Sequence, residues 1–297
     1  MKLSLCICTK NNYSILSRCL KSLENQTIPK SDFEVIILDN STHPNEALIK
    51  CKEICNKQHY RYIFQKTSGI SGARNACIDL AKHELIYFID DDLILDNNAL
   101  LNCITKFNHI ENLGVLGGKV SPDFQEEEVP DWLGQDQLHA LSTIDFGGKD
   151  IILNFSKENV WLVGANMCFR KSCFETGLRF REDLGRKISS KILLSGEECE
   201  VIRAVQKKHL ALYTADCAGK HLIDKDRLKQ DWFVSRSAWQ SVSDIFNQEL
   251  WIEELQGADL FIEKNISLLF KKNLSKEEFN KKINLVRLLT FNLLNAK

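Results

Sequence analysis

The sequence is poor in proline and contains no long apolar run, and both shortages limit what the protein can be. Four prolines occur in 297 residues, and none lies beyond Pro130, so proline interrupts no helix in the second half of the chain. No apolar run reaches the roughly 18 residues that a membrane-spanning helix needs. We therefore expect a cytoplasmic protein whose contact with membrane, if any, is peripheral and on the inner face.

The sequence also lacks a charge imbalance and any signal for paired cysteines. A net charge of -1 gives no indication of nucleic-acid binding, so we expect no nucleic-acid partner. The 11 cysteines are odd in number, lie between Cys6 and Cys217, and include no C-x-x-C pair or zinc-type spacing. We expect reduced thiols inside a cell.

The first third of the chain alternates short apolar runs with helical patterns. The N-terminal run is too short for a signal sequence, and we interpret it as a first β-strand. Strand and helix in this rhythm predict βαβ units, and therefore an α/β fold with a mostly parallel mixed sheet flanked by helices. The segments are Leu3–Cys8, Ile15–Leu23, Glu34–Leu38, Ala47–Cys55, Tyr60–Phe64, Gly72–Ala81 and Glu84–Ile89.

The pattern changes after residue 120. Two prolines, an acidic run and a Gly-Gly pair predict a loop-rich insertion over residues 121–159. The apolar run Val160–Val163 leads into a further predicted strand that ends at Arg170. A helix at Glu197–Lys208 and a short strand at Ala211–Thr214 follow. We predict one large domain, 1–239, with halves 1–120 and 121–239, and a helical tail, 240–297.

Three carboxylates, Asp90, Asp91 and Asp92, follow directly after an apolar strand. They would repel one another unless a cation or hydrogen-bond donors offset their charge. Alternate side chains of a strand share a face, so Asp90 and Asp92 can converge on one ion while Asp91 points elsewhere. The alternative is a solvated acidic turn.

A glycine-containing loop, Gly69–Asn75, enters a helix about fifteen residues before the acidic triplet. The free backbone N–H groups of a helix start suit an anion, and Arg74 adds a cation for a nucleotide. The alternative is a structural helix start, with Ser71 as its cap.

Together these motifs resemble the family 2 glycosyltransferases, which have the GT-A fold, a Rossmann-like nucleotide-diphospho-sugar transferase fold, and are typically inverting. The resemblance spans roughly residues 1–239, and the joint order of its motifs is specific. They are Leu5–Asn12, Leu20–Leu23 with Gln26, Val35–Ser41, Gly72–Asn75, Asp90-x-Asp92, Gly164–Asn166, Gly196–Glu198, and His221 with Arg227 and Trp232 after it.

The resemblance implies a role for each matching residue. By this resemblance, residues 1–120 are expected to form a nucleotide-binding half, and residues 121–239 are expected to form an acceptor half. The residues expected to contact the donor are Thr9, Asn11, Asp39, Arg74, Asp90 and Asp91. The residues expected to contact a Mn²⁺ or Mg²⁺ ion are Asp92, Asp90 and His221.

The same resemblance places Glu198 where the catalytic base stands, with Glu197 as a second candidate. The alternatives are an acidic first turn favoured by the helix dipole, and a structural role for His221. Because the dipole stabilises negative charge at a helix start, we expect Glu198 to be ionised near neutral pH.

The resulting hypothesis is a metal-dependent inverting glycosyltransferase that moves a sugar from a UDP-sugar to a glycan or lipid-linked saccharide. A dTDP-sugar is the alternative donor. A catalytically silent nucleotide- or carbohydrate-binding module of the same fold is the alternative function. A nucleotidyltransferase would need a glycine-rich phosphate loop after the first strand, and the turn at Thr9–Asn12 contains no glycine.

The end of the chain has a charge bias of its own. Residues 263–297 contain eight Lys or Arg and three Glu, a net charge of +5. Phe279, Ile283, Val286 and Leu293 fall near helical spacing. A basic amphipathic helix can lie on an anionic membrane, whereas a packing helix with a solvated basic face is the alternative.

Overall fold

The computed structural model describes residues 1–155, 160–186, 192–246, 258–272 and 274–295. These residues belong to two compact units, which are Met1–Asp123 with Ser142–Glu182 and Glu197–Leu222, and Phe124–Leu141 with Asp183–Gly196 and Ile223–Lys297. The predicted division at residue 239 falls inside a helix of the second unit and stays a prediction.

The first unit is built on a nine-stranded sheet with the order β3-β2-β1-β4-β8-β6-β9-β5, and β7 also pairs with β9. The strands β1 to β4 pair in parallel, and β8 is antiparallel to both of its neighbours. The expected α/β class with a mixed sheet is confirmed. The strands are β1 (Leu3–Thr9), β2 (Phe33–Asp39), β3 (Arg61–Phe64), β4 (Leu85–Asp90), β5 (Leu93–Leu95), β6 (Leu113–Asp123), β7 (Ile151–Leu153), β8 (Asn166–Arg170) and β9 (Leu210–Leu222).

Helices cover the sheet because their apolar residues recur on one side. In the first helix Leu16, Leu20 and Leu23 are spaced three or four apart, and all three are buried. The helices of the first unit are α1 (Tyr13–Glu24), α2 (Ala47–Gln58), α3 (Ile70–Leu80), α4 (Ala99–His109) and α5 (Glu197–Gln206). Those described in the second unit are α6 (Gln230–Phe246), α7 (Ala258–Asn265) and α8 (Lys276–Asn295).

The predicted elements of the first ninety residues are confirmed, and one later element is corrected. The strand predicted after the apolar run Val160–Val163 is found at Asn166–Arg170, where a turn at residues 164–165 precedes it. The short strand expected at Ala211–Thr214 is the first part of the thirteen-residue β9. Pairing with β5 and β6 keeps the polar second half of β9 extended, while β7 pairs with its first half. The end of the predicted insertion, 156–159, lies outside the described residues.

Apolar side chains fill the first unit, and its thiols belong to that core. All eleven cysteines are free, and nine of them are buried. The two half-buried ones are Cys8, on the central strand, and Cys199, on α5. The expectation of reduced thiols agrees with this placement.

The second unit has a separate apolar core around α8. Phe279 is fully buried, and the ring of Trp132 lies 4.7 Å from its ring. At the far end of the helix Leu293 remains 74% exposed. In the part of the chain that is described, no helix has the length and apolarity to cross a membrane. The packing alternative therefore holds for the first turns of α8, and peripheral membrane contact stays a prediction.

The buried side-chain amide of Asn166 connects β8 with β4 and β9 by hydrogen bonds. Next to this amide, β6 has no room for a side chain. The Asn166 amide donates to the Cys217 carbonyl at 2.8 Å and accepts from the Tyr87 hydroxyl at 2.7 Å. A Cβ added at Gly118 would stand 1.9 Å from the same Cys217 carbonyl oxygen. The close approach of β6 and β9 therefore requires glycine at residue 118.

We predict that Gly118→Ala destabilises the protein, because either the β9 backbone or the Asn166 amide must shift. Overpacking of this kind costs about 1–3 kcal/mol. Urea unfolding measures it, and Gly148→Ala is the matched control because nothing lies within 4 Å of a Cβ there. Equal midpoints for the two variants would contradict the prediction.

Candidate active site

The candidate site lies at the carboxyl edge of the parallel strands in the first unit. The register of β1 places Thr9 opposite Asp39 of β2 and Cys8 opposite Asp90 of β4. Three strands therefore end at the same level, and their terminal polar residues meet at one edge. Ligands of open α/β sheets bind at such an edge.

The central carboxylate of the acidic triplet is anchored to the turn after β1. The Thr9 hydroxyl donates to Asp91 Oδ2 at 2.5 Å, and the Asn12 amide donates to Oδ1 at 3.0 Å. Burial and the charge of Asp92 raise the pKa of Asp91 to about 7, against these two donors. Asp91 and Thr9, both expected at the nucleotide, are thus brought into direct contact.

Asp92 and His221 form a buried pair. His221 Nε2 lies 3.0 Å from Asp92 Oδ1, and His221 is only 1% exposed. The backbone fixes this pair, because Leu222 N donates to the Asp92 carbonyl and β9 pairs with β5 just beyond the triplet. Two of the three residues expected at a cation are therefore neighbours, although 129 positions separate them in sequence.

The donor set fits a divalent cation that is shared with a diphosphate. Across the described ranges, no three His, Cys, Asp or Glu side chains are grouped so that they could hold an ion by themselves. Protein sites for Mg²⁺ commonly supply one or two carboxylates and leave the other positions to phosphate oxygens and water. Asp92 and His221 suit this arrangement, with one hard oxygen ligand and one imidazole.

Asp90, the remaining expected cation ligand, faces a cation of the protein. Its Oδ1 lies 3.4 Å from Arg74 Nη2, and its side chain remains 34% exposed. Burial raises the pKa of Asp90, and Arg74 opposes the rise. The exposed part of this carboxylate is the part that a ligand can reach.

Arg74 is turned into the protein and connects α3 with α5. Its Nη1 donates to Glu197 Oε1 at 2.6 Å, and its Nη2 donates to the Gly164 carbonyl at 3.1 Å. The guanidinium also lies over the Phe180 ring, 5.6 Å from its centroid. Burial opposes the charge on Arg74, but Glu197 and Asp90 outweigh it and raise the pKa above its usual range. Contact of Arg74 with a nucleotide stays a prediction.

Glu197 and Glu198 begin α5, as the sequence predicts, but the expected charge of Glu198 is corrected. Burial and the neighbouring charge of Glu197 raise the pKa of Glu198 to about 8. The helix dipole favours an ionised carboxylate, yet it does not offset the burial and the adjacent negative charge. The raised pKa favours the protonated carboxyl over the expected ionised one, and the assignment of Glu198 as base stays a prediction.

Asp39 lies deeper than its predicted role suggests. It is fully buried, and its carboxylate accepts from the hydroxyls of Tyr13 at 3.1 Å and Tyr62 at 2.5 Å. The backbone N–H of Ser41 donates to its other oxygen at 2.8 Å. Asn11 is linked to the same loop, because its N–H donates to the Ser41 hydroxyl at 2.7 Å. Nucleoside contact by Asp39 and Asn11 stays a prediction.

Several residues of the site could not be assigned a function from the sequence. Asn12 holds Asp91, and the two tyrosines hold Asp39. The motif Leu5–Asn12 includes Asn12, whereas the position of Tyr62 beside Asp39 follows only once β3 is placed in register beside β2. Gly164 belongs to a motif of the resemblance, and its function follows from its contact with Arg74.

Comparison with known proteins agrees with this geometry. Residues 4–174 match the model of glycosyl transferase family 2. A poly(ribitol-phosphate) β-glucosyltransferase of Bacillus spizizenii is 37% identical over 108 residues, which are 34% of this chain and 16% of the relative. The poly(ribitol-phosphate) β-N-acetylglucosaminyltransferase TarP of Staphylococcus aureus is 28% identical over 164 residues, 51% of this chain and 50% of the relative. The chain thus spans at most half the length of these two relatives.

A solved structure extends the comparison to the whole chain. The structure of S. aureus TarS 1–349 in complex with UDP-GlcNAc superposes with a TM-score of 0.59 at 14% identity, covering 100% of this chain and 92% of that one. This likeness confirms the expected GT-A fold. Because the family model covers more than half of the sequence, the protein belongs to glycosyl transferase family 2.

Proposed function

We propose that the protein is a divalent-metal-dependent, inverting glycosyltransferase that uses a UDP-sugar as donor and a glycan or lipid-linked saccharide as acceptor. One observation carries the proposal: the Asp92–His221 pair and the α5 carboxylates share one sheet edge, where Arg74 connects Asp90 with Glu197. This arrangement supports a site in which a cation and a diphosphate would bind beside a proton acceptor.

The donor side of the site would hold the nucleotide diphosphate. Asp92 and His221 would be the protein ligands of the cation, and the exposed part of Asp90 would face the sugar nucleotide. When bound, the cation offsets the charge that develops on the departing diphosphate. Thr9 and Asn12 donate hydrogen bonds to Asp91, so contacts within the protein fix the residue that follows β4 without a bound nucleotide.

On the acceptor side, Glu198 would remove a proton. An acceptor hydroxyl is a poor nucleophile until a positioned carboxylate takes its proton as the new bond forms. We propose that a Glu198 carboxylate oxygen accepts this proton while the hydroxyl attacks the anomeric carbon opposite the leaving group. Both relatives are named as β-transferases, which supports inversion if the donor is the usual α-linked UDP-sugar.

A donor screen tests the proposed function. The protein is incubated with UDP-glucose, UDP-GlcNAc and a dTDP-sugar, with and without Mn²⁺, and released nucleotide is measured. The acceptors include saccharides and a polyol-phosphate polymer, since the relatives' names specify poly(ribitol-phosphate). We expect acceptor-stimulated release of UDP. Binding of UDP without release from any pair would favour the silent binding module.

We predict that Asp92→Asn weakens UDP binding in the presence of Mn²⁺ by at least about 10-fold. Loss of a metal-ligating side chain should lower the affinity for the cation at least as much as loss of a residue that hydrogen-bonds to such a side chain. Titration calorimetry measures the affinity. A chelator should weaken UDP binding to the wild-type protein and have little effect on the variant.

Asp96→Asn is the control for this measurement, because Asp96 follows in the same part of the chain and is exposed. It should bind UDP as the wild-type protein does. If chelator-treated wild-type protein bound UDP normally, the proposed cation would have no role in donor binding.

We predict that Glu198→Gln lowers turnover by ~10²-fold or more, because the amide keeps the shape but cannot accept the proton. Since the pKa of Glu198 is raised to about 8, kcat/KM of the wild-type enzyme should rise with pH up to roughly that value. The variant should lose this rise. Steady-state rates between pH 6 and 9 test both expectations.

Thermal unfolding gives a second measurement of the same carboxyl group. A carboxyl whose pKa is higher in the folded state leaves the stability of the fold undiminished below its pKa in the unfolded chain, about 4.3, and the stability falls as pH rises from there to about 8. The Tm of Glu198→Gln should therefore exceed that of the wild type more at pH 9 than at pH 5. Glu200→Gln, on the exposed side of α5, is the control. Near-normal turnover of Glu198→Gln would remove Glu198 as base.

A further inference from the structure

Arg74 makes contacts that a nucleotide-binding cation would not need. It is 3% exposed, and its guanidinium donates to side chains or carbonyls of three other elements or loops. One aromatic ring covers the guanidinium as well. Each of these partners belongs to the protein, so the planar group is already oriented before any ligand binds.

The two carboxylates beside Arg74 are not equivalent. Glu197 is 2.6 Å away with a side chain 7% exposed, whereas Asp90 is 3.4 Å away and 34% exposed. Charge-assisted hydrogen bonds are strongest at short distance and away from water. The principal partner of Arg74 is therefore Glu197, the first residue of α5, and Asp90 is the secondary one.

The position of Glu198 depends on this contact because it follows Glu197 in the first turn of α5. A helix start has few backbone hydrogen bonds of its own, so a side-chain contact has a large share in fixing it. The Arg74–Glu197 contact is buried, and it joins α5 to α3, which packs against β1 and β2.

We propose that Arg74 is a positioning residue, which holds the first turn of α5 so that Glu198 stands at a fixed distance from the Asp90 end of β4. The inference rests on the proposed function only for the role of Glu198. It differs from the expectation that Arg74 binds the nucleotide, because it assigns the guanidinium to the helix that carries the base.

Gly164 provides independent support for a fixed guanidinium. A Cβ at this residue would lie 2.6 Å from Arg74 Nη2, although the backbone there does not have a positive φ. Alanine is therefore compatible with the backbone but not with the present position of Arg74. The absent side chain at residue 164 allows the guanidinium to reach its carbonyl.

Two variants test the proposal. Arg74→Lys keeps the charge but cannot make the three directed contacts, and Gly164→Ala displaces the guanidinium without changing its charge. We expect both to bind UDP with Mn²⁺ nearly as the wild type does. With the donor and acceptor from the screen, kcat should fall by about 10- to 100-fold, the order expected for a misplaced catalytic group. Hydrogen exchange should become faster in the peptide covering Glu197–Gln206.

Arg61→Lys is the matched control, since Arg61 also donates to a glutamate, Glu34, and to a carbonyl at the end of α3, each at 2.9 Å. It lies at the other end of the strands and should change neither kcat nor exchange in α5. A loss of UDP affinity as large as the loss of kcat would overturn the proposal in favour of a nucleotide ligand. Unchanged exchange in α5 for both variants would also overturn it. If no pair of substrates reacts, the proposed function fails, and exchange with UDP affinity still decides the role of Arg74.

Discussion

Five carboxylates are crowded at one edge of the sheet, and the structure of the site depends on how their charge is offset. They are Asp90, Asp91, Asp92, Glu197 and Glu198. The offsetting groups come from different elements, with a guanidinium from α3, an imidazole from β9, and a hydroxyl and an amide from the end of β1 and the turn after it. The guanidinium reaches Asp90 and Glu197, the imidazole reaches Asp92, and the hydroxyl and the amide both reach Asp91. These elements must therefore pack together before the charges can be tolerated. Burial, together with the residual repulsion between neighbouring carboxylates, raises the pKa values of Asp90, Asp91 and Glu198.

The sequence predicts the β1–β4 half of the sheet well because its patterns are local there. Strands that are buried on both faces give continuous apolar runs, and the helices between them repeat their apolar residues every three or four positions. The polar residues that end those runs, Thr9, Asp39 and Asp90, lie at the carboxyl edge of the parallel strands. Beyond residue 120 the pattern predicts only part of β9, since β9 is held by three neighbouring strands and carries polar residues that no propensity would place in a strand.

The identity of the site residues is easier to predict than their electrostatic state. A carboxylate at a helix start suggests an ionised group, but the burial of Glu198 and the charge of Glu197 depend on the folded chain. The hydroxyls that surround Asp39 come from α1 and β3, so its burial could not be inferred from the strand that it ends. Arg74 is a further case. A basic residue after a glycine-containing loop predicts a site for an anionic ligand, but the anions nearest to Arg74 are the carboxylates of Asp90 and Glu197.

The placement of the thiols has a practical consequence for spectroscopy. A thiol reacts with alkylating reagents as the thiolate, so burial and a raised pKa both slow the reaction. Nine cysteines are buried, and the half-buried Cys8 has its pKa raised by a hydrogen bond to Cys77 and by burial. Cys199 is the other half-buried thiol, and it directly follows Glu198. A fluorophore attached there would report on the first turn of α5 without any cysteine having to be introduced.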